Sequence, residues 1–375
     1  MREQLAYVEV IKSLSPIKDA DKIERATVLG WECVVLKGQF KVGDNIIFCE
    51  VDSVLPDIEC FDFLREKKFR IRTIKLKSQI SQGLVLSLST INDIDPAFDI
   101  SKLKVGDDCT SLLGITKYDP ESALDEPEVE QVKRSWIANR YSYYKWKLLG
   151  IKPIKKGSFP SDVPKTNEER VQKMGSALER HEGEEVYITE KLEGSSCTFI
   201  YRKNGNWLAR LFNNDGIFQV CSRNTIVFNS QNGKNRKNSP HYLKSIADRY
   251  KIHEKLKSLN RNLALQGESL GPKIQKNIYN FSDYEFCAFL MFDIDKQEYL
   301  SFVEMQSLCR ELNIPMVPVV GFGKIVPDVK YYVELSKGKS LMGVNINREG
   351  IVIRGLAGNF SFKSINPEYL LAERD

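Results

Sequence analysis

One lysine in this chain has the neighbours of a nucleophile. In Tyr187-Ile188-Thr189-Glu190-Lys191-Leu192-Glu193-Gly194-Ser195-Ser196, Lys191 leaves a segment of alternating apolar residues, Val186 and Ile188, and is followed by a carboxylate and a glycine. A protonated amine cannot attack phosphorus, but burial or a nearby cation lowers its pKa and frees the lone pair. Glu193 can hold such a cation, directly or through water, and Gly194 lets a phosphate approach the main chain. Alone the pattern is weak, because Lys-x-acid-Gly also occurs at ordinary surface turns. The elements that position it must decide.

The 375 residues suffice for two domains with ample core. No apolar run approaches the roughly 18 residues that span a bilayer. The start, Met1-Arg2-Glu3-Gln4, lacks the character of a signal peptide. These features lead us to expect a cytoplasmic protein without membrane contact. The eight cysteines show no C-x-x-C spacing and only three histidines accompany them, which argues against zinc and for buried, reduced thiols. A net charge of +5 is too mild to announce a polyanionic partner, so the distribution of charge matters more.

Residues 1–117 read as short strands: Tyr7–Ile11, Ala26–Leu29, Cys33–Leu36 and Asn45–Val51. Lys41-Val42-Gly43-Asp44 is a turn before the last of these, and Lys104-Val105-Gly106-Asp107 repeats it before another short strand. This is the pattern of a small closed β-barrel, most like an OB-fold. Phe69-Arg70-Ile71-Arg72-Thr73 reads as a strand with Arg70 and Arg72 on one face, suited to a phosphate backbone.

Residues 118–160 read as a linker. Asp119 to Glu130 is acidic and contains proline. Lys133 to Lys156 contains no acid, and its basic residues, Lys145 and Lys147 among them, alternate with Trp136, Tyr141, Tyr143, Tyr144 and Trp146. Such interleaving offers phosphate contacts together with stacking surfaces.

Residues 161–375 read as a second domain. We expect a helix over Asn167–Leu178 capped by Thr166, and a strand ending at Lys191 partnered by Cys197–Tyr201 with a turn at Asn204-Gly205. Gln219–Cys221 reads as a further strand, Gln231–Asn238 as a mobile loop and Tyr242–Leu259 as an amphipathic helix. Leu263–Gln266, Glu285–Ile294 and Gly350–Ile353 read as buried strands. The class is α+β with much antiparallel sheet.

Collected at these strand ends, five segments in order resemble the covalent nucleotidyltransferases, the superfamily of polynucleotide ligases and capping enzymes. They are Glu190-Lys191-Leu192-Glu193-Gly194, Ser222-Arg223-Asn224, Gln266-Gly267-Glu268, Phe289 to Ile294, and Arg348-Glu349-Gly350-Ile351-Val352 followed by Ser361-Phe362-Lys363. Within that superfamily the whole chain resembles the Deinococcus-type RNA ligases, the fifth RNA ligase family. These place an OB domain before the nucleotidyltransferase (ATP-grasp-like ligase) domain. Related DNA ligases and capping enzymes place theirs after the final lysine motif, and with Asp375 ending the chain soon after Lys363 no trailing domain is expected.

The resemblance implies an ATP-dependent RNA ligase that joins 3′-hydroxyl and 5′-phosphate ends, at nicks in a duplex or an RNA–DNA hybrid, as a monomer. Lys191 is then the residue that carries AMP. For the nucleotide the resemblance implies Glu190, Leu192, Ser196, Arg223, Glu268, Phe289, Ile351, Lys363, Arg170 and Lys165. Glu193, Glu268 and Glu349 are implied around Mg²⁺ or Mn²⁺ through water, and Arg70, Arg72, Lys145 and Lys147 at the RNA. Two departures stand out: Glu193 replaces the usual aspartate, and Ser361 stands where the first of two alternate lysines is usual. The alternatives are a DNA ligase, a GTP-using capping-type transferase, or a nucleic-acid-binding homologue without chemistry.

Overall fold

The computed structural model describes residues 4–118, 158–203, 216–230, 241–356, 358 and 360–372. Asp119 to Lys156, with Lys145 and Lys147, the Asn204-Gly205 turn and the Gln231–Asn238 loop therefore lie outside the described residues.

The N-terminal part is one antiparallel sheet of β1 (Ala6–Pro16), β2 (Ile23–Val28), β3 (Trp31–Leu36), β4 (Asn45–Cys49) and β5 (Leu84–Ser87), in the order β3-β2-β1-β4-β5. β-Branched and aromatic residues alternate across its two faces, and both faces are covered, one around Trp31 and Phe48 and the other around Phe61 and Leu113. The sheet curls into a half-barrel of the OB type and does not close. Between β3 and β5 there is no ladder; Gln82 N–H donates to Glu32 O (2.8 Å) and Val34 N–H to Ser81 Oγ (3.0 Å).

The two repeated turns share one chemistry. Asp44 and Asp107 each accept the N–H of the lysine three residues before (both 2.8 Å), and Gly43 and Gly106 both take φ +93° and donate to the carbonyls of Ile11 (2.9 Å) and Val8 (2.8 Å). The second turn leads only to a Tyr7–Asp108 bridge, not to the expected strand. Phe69–Thr73 is not a strand either. Arg70 makes a single bridge to Val54, and Lys68 and Phe69 take positive φ, which breaks the alternation the sequence suggested.

Two short two-stranded ladders, Ser53–Val54 with Thr116–Lys117 and Ile74–Leu76 with Gln79–Ser81, complete this part, and two larger sheets form the rest. One runs β6 (Glu169–Arg170), β16 (Ser361–Ile365), β15 (Gly350–Gly355), β7 (Glu185–Lys191), β14 (Val319–Lys324) in spatial order. The other runs β10 (Ile226–Asn229), β9 (Ile217–Cys221), β8 (Ser195–Arg202), β11 (Leu263–Leu270), β12 (Glu285–Asp293), β13 (Glu298–Tyr299). A large core that includes Tyr187, Phe199, Leu265 and Phe286 is covered by α2 (Tyr242–Arg249), α3 (Ile252–Ser258) and α4 (Phe302–Glu311).

Three expectations change here. β7 does not pair with β8; it pairs with β14 and β15, and β8 with β9 and β11, so residues 192–194 carry the chain from one sheet to the other. The crossing itself needs Gly194, since a Cβ there would lie 2.5 Å from Ser269 O and 2.7 Å from Glu268 Cγ. The helix expected at Asn167–Leu178 divides into β6, a 3-10 turn at Val171–Lys173 and α1 (Gly175–Arg180). Val171 and Leu178 are buried as their spacing required, but Arg170 pairs in extended form beside Lys363, and the Thr166 hydroxyl meets Ser196 Oγ (3.2 Å) instead of capping. Tyr242–Leu259 breaks into α2 and α3 at Lys251, which takes φ +51°.

No cysteine is in a disulfide, and all are buried except the half-buried Cys60. Among the described residues no helix is long and apolar enough to cross a membrane.

Candidate active site

The crossing at residues 192–194 puts Lys191 at the seam between the two sheets, where a cleft of about 330 Å³ opens toward the N-terminal half-barrel. Lys191 Nζ donates to Glu349 Oε1 at 2.5 Å. Register explains the meeting, since Lys191 lies opposite Gly350 at the end of β15. Burial works against the ammonium charge, but Glu349, then Glu268 and Glu168, outweigh it and hold the amine above its ordinary pKa. The free protein thus keeps Lys191 protonated, and a nucleophilic role requires a cation to reverse the balance.

Lys363 has the opposite surroundings. It sits opposite Val352 on β16 and beside Arg170 of β6. Burial, then the charges of Lys191, Arg170 and Lys117, lower its pKa to about 8, with Glu168 opposing them. Four cations facing one cleft form a site for phosphate oxygens.

Glu193 and Glu268 line the same cleft. Burial and then the Glu349 charge raise the Glu193 carboxyl above its ordinary value. Among the described residues no three acids, histidines or cysteines come close enough to bind a metal directly. Glu193, Glu268 and Glu349 all line the cleft, so a cation there would be reached by these acids through its waters.

A bulge sets which aromatic residue reaches the cleft. β11 and β12 pair Gln266 with Leu290 and Gly267 with Ala288, so Phe289 is the extra residue and is turned into the cleft. Phe286 is instead fully buried against Phe199 in the large core. Glu190 is 1% exposed; its Oε2 accepts from Leu341 N–H (2.7 Å), and among the described residues its Oε1 has no hydrogen-bond partner.

Leu192, Ser196, Arg223 and Arg170 also line the cleft. Leu192 is packed into the apolar cluster beneath Phe289. Two expected residues do not line it. Ile351 is fully buried in the core behind β15, because alternation turns Val352 to the cleft instead. Lys165 donates to Asn224 Oδ1 (3.0 Å) and only braces the turn that carries Arg223.

Of the residues expected at a polynucleotide, Arg70 lines the cleft, bonded to Asp52 Oδ1 (2.6 Å) and stacked at 3.6 Å on Tyr118. Arg72 is half-buried and outside the cleft lining, so the two arginines do not form one basic face.

Sequence reasoning missed Glu168, Asp52, Lys117, Lys173 and Arg354. Arg354 Nη2 donates to Glu168 Oε1 (2.7 Å), Nη1 donates to Thr189 Oγ1 (3.2 Å), and its guanidinium lies 5.4 Å from the Phe289 centroid. Its alternation with Val352 on β15 was the available signal. Asp52 accepts from Arg170 (3.5 Å), Lys173 pairs with Glu50, and Gly30 N–H donates to Gln172 O (3.0 Å). These contacts dock the half-barrel on the cleft and depend on long-range pairing.

Known proteins with this arrangement agree. A variant of the Naegleria gruberi RNA ligase with ATP and Mn is 32% identical over 100% of both chains, with a TM-score of 0.78. The chain belongs to the RNA ligase family. The same ligase with pyrophosphate matches at 32% identity over 98% of each chain (TM-score 0.76), and a variant with AMP and Mn at 32% over 99% of each (TM-score 0.76). The RNA ligase family matches residues 184–365, and an OB-fold domain matches residues 5–88. No curated protein sequence matches this ligase significantly.

Proposed function

We propose that this ligase is an ATP-dependent enzyme of the Deinococcus-type, fifth RNA ligase family, that seals 3′-hydroxyl and 5′-phosphate RNA ends at nicks through a lysyl-AMP intermediate. The observation that carries the reading is Lys191 at the seam of two sheets, with its amine on Glu349 and with Lys363 and Arg170 across the cleft. The same reading divides the chain into an OB domain (1–117), a linker (118–160) and a nucleotidyltransferase domain (161–375), working as a cytoplasmic monomer.

In this mechanism Lys191 gives up its proton and its lone pair forms a bond to the α-phosphorus of ATP, while the bond to the β-phosphate oxygen breaks and pyrophosphate leaves. Mg²⁺ or Mn²⁺, when bound, favours the neutral amine and offsets charge on the phosphoryl oxygens. Glu193, Glu268 and Glu349 would hold its waters. Lys363 meets the α-phosphate oxygens, and Arg170 the departing pyrophosphate. The RNA 5′-phosphate then attacks the same phosphorus, Lys191 leaves and regains a proton, and the 3′-hydroxyl displaces AMP to form the phosphodiester.

Phe289 offers a stacking face for any purine. Glu190 supports the choice of adenine, since its free Oε1 is an acceptor suited to an exocyclic amine and repels a carbonyl at the same place.

The test is denaturing electrophoresis after incubation with α-³²P-ATP or α-³²P-GTP and Mn²⁺, followed by a chase with nicked RNA and nicked DNA. Label from ATP alone, absent in Lys191→Ala and chased into sealed RNA, is expected. Label on Lys191→Ala would refute the nucleophile, and sealing of DNA alone would refute the substrate.

A further inference from the structure

The chain beyond Lys363 is built against the acids that flank Lys191. β16 ends at Ile365, and Asn366, fully buried, turns the chain into α6 (Pro367–Ala372). Asn366 N–H donates to Glu349 O (2.9 Å), its Nδ2 donates to Arg348 O (3.1 Å), and its Oδ1 accepts from Glu368 N–H (2.9 Å). The next residue, Gly350, has no room for a Cβ, which would lie 2.3 Å from Ser364 O. The backbone of Glu349 is therefore gripped on both sides.

α6 also reaches the other acid. Tyr369 and Leu370 form part of the cleft wall that Glu193 also lines, and the Tyr369 hydroxyl favours the charged form of the Glu193 carboxyl, against burial and the Glu349 charge. Lys276 N–H approaches Glu193 Oε1 at 3.4 Å from a loop in which Lys273, Gln275 and Asn277 all take positive φ, and Glu193 N–H donates to the Tyr279 hydroxyl (3.0 Å). The longer side chain of glutamate is thus met by donors from two separate segments.

We propose that residues 366–372 are a positioning element for the ligase reaction, in which Asn366 sets the Glu349 backbone and Tyr369 sets the Glu193 carboxylate, so that both acids hold a cation at a defined distance from the Lys191 amine. This rests on the reading of Lys191 as nucleophile. Asn366 and Tyr369 act through the two acids and are positioning residues.

The test uses the full chain as wild type, Tyr369→Phe, Glu193→Gln and the double variant. It reads the rate of labelling by α-³²P-ATP across a Mn²⁺ titration, Mn²⁺ binding without nucleotide by electron paramagnetic resonance, and the melting temperature. Tyr369→Phe removes one hydroxyl and should melt close to wild type, yet need roughly tenfold more Mn²⁺ for half-maximal labelling and bind Mn²⁺ correspondingly more weakly. In the double variant the loss should equal that of Glu193→Gln alone, since Tyr369 has then lost the charge it orients. A Mn²⁺ requirement unchanged in Tyr369→Phe, or losses that simply add, would overturn the proposal. Should the wild type take no label, the functional reading fails, while Mn²⁺ binding still reports whether Tyr369 acts through Glu193.

Discussion

Lys191 and Lys363 face the same cleft from the two strands that flank β15, and their surroundings push them in opposite directions. Lys191 has Glu349 at 2.5 Å, with Glu268 and Glu168 near, and is held protonated. Lys363 has Lys191, Arg170 and Lys117 around it and titrates near pH 8. Both are half-buried, so desolvation acts in the same direction on the two, and the difference comes from the neighbouring charges. The lesson is that one side of the cleft awaits a cation and the other an anion. A nucleotide carrying a metal satisfies both at once.

The largest test of that asymmetry is Lys191→Ala, which should abolish labelling by ATP while leaving nucleotide binding detectable. Lys363→Met should slow labelling by about 10²–10³-fold, the usual cost of losing one charged donor at a reacting phosphoryl group. Measured against pH, labelling should rise as Lys191 loses its proton and level off above about pH 8, where Lys363 loses its own while Lys191, held above its ordinary pKa, is still titrating. Lys363→Arg, which stays charged, should let labelling go on rising past pH 8, and a profile that still levels off there would break the comparison.

Asp52→Ala leaves Arg170 without its partner from the half-barrel. A rise of roughly tenfold in the ATP concentration needed, with the maximal rate little changed, is the expected result in initial-rate assays. The smallest effect is the most direct. In Lys191→Met the Lys363 pKa should move up from about 8, followed by NMR of ¹³Cε-labelled lysine, because a neighbouring positive charge has gone.

Legibility in the sequence followed locality. Residues fixed by their own strand were readable: Val186 and Ile188 alternate toward Lys191, and the Lys-Val-Gly-Asp turns formed at both places. Spacing failed where a residue was claimed by a distant partner. Arg170 gave up a helix to lie beside Lys363, and Phe289 was turned into the cleft by a bulge opposite Gly267. Arg70, which alternation placed on an open basic face, is held between Asp52 and Tyr118. Glu168 and Arg354 carry no motif, and each is placed by the other.

By itself the sequence determined that an OB-type β domain precedes an α+β domain, and which ordered segments end at the cleft, because alternation, turns and motif order are local properties of the chain; that the barrel stays open was not among them. Only the tertiary structure decided that Lys191 sits where one sheet hands over to another and that Glu349 holds its amine. Only there, too, does Lys363 come under the charges of Lys191, Arg170 and Lys117. Charge–charge energies depend on distance and burial, and these arise only when strands more than a hundred residues apart come together.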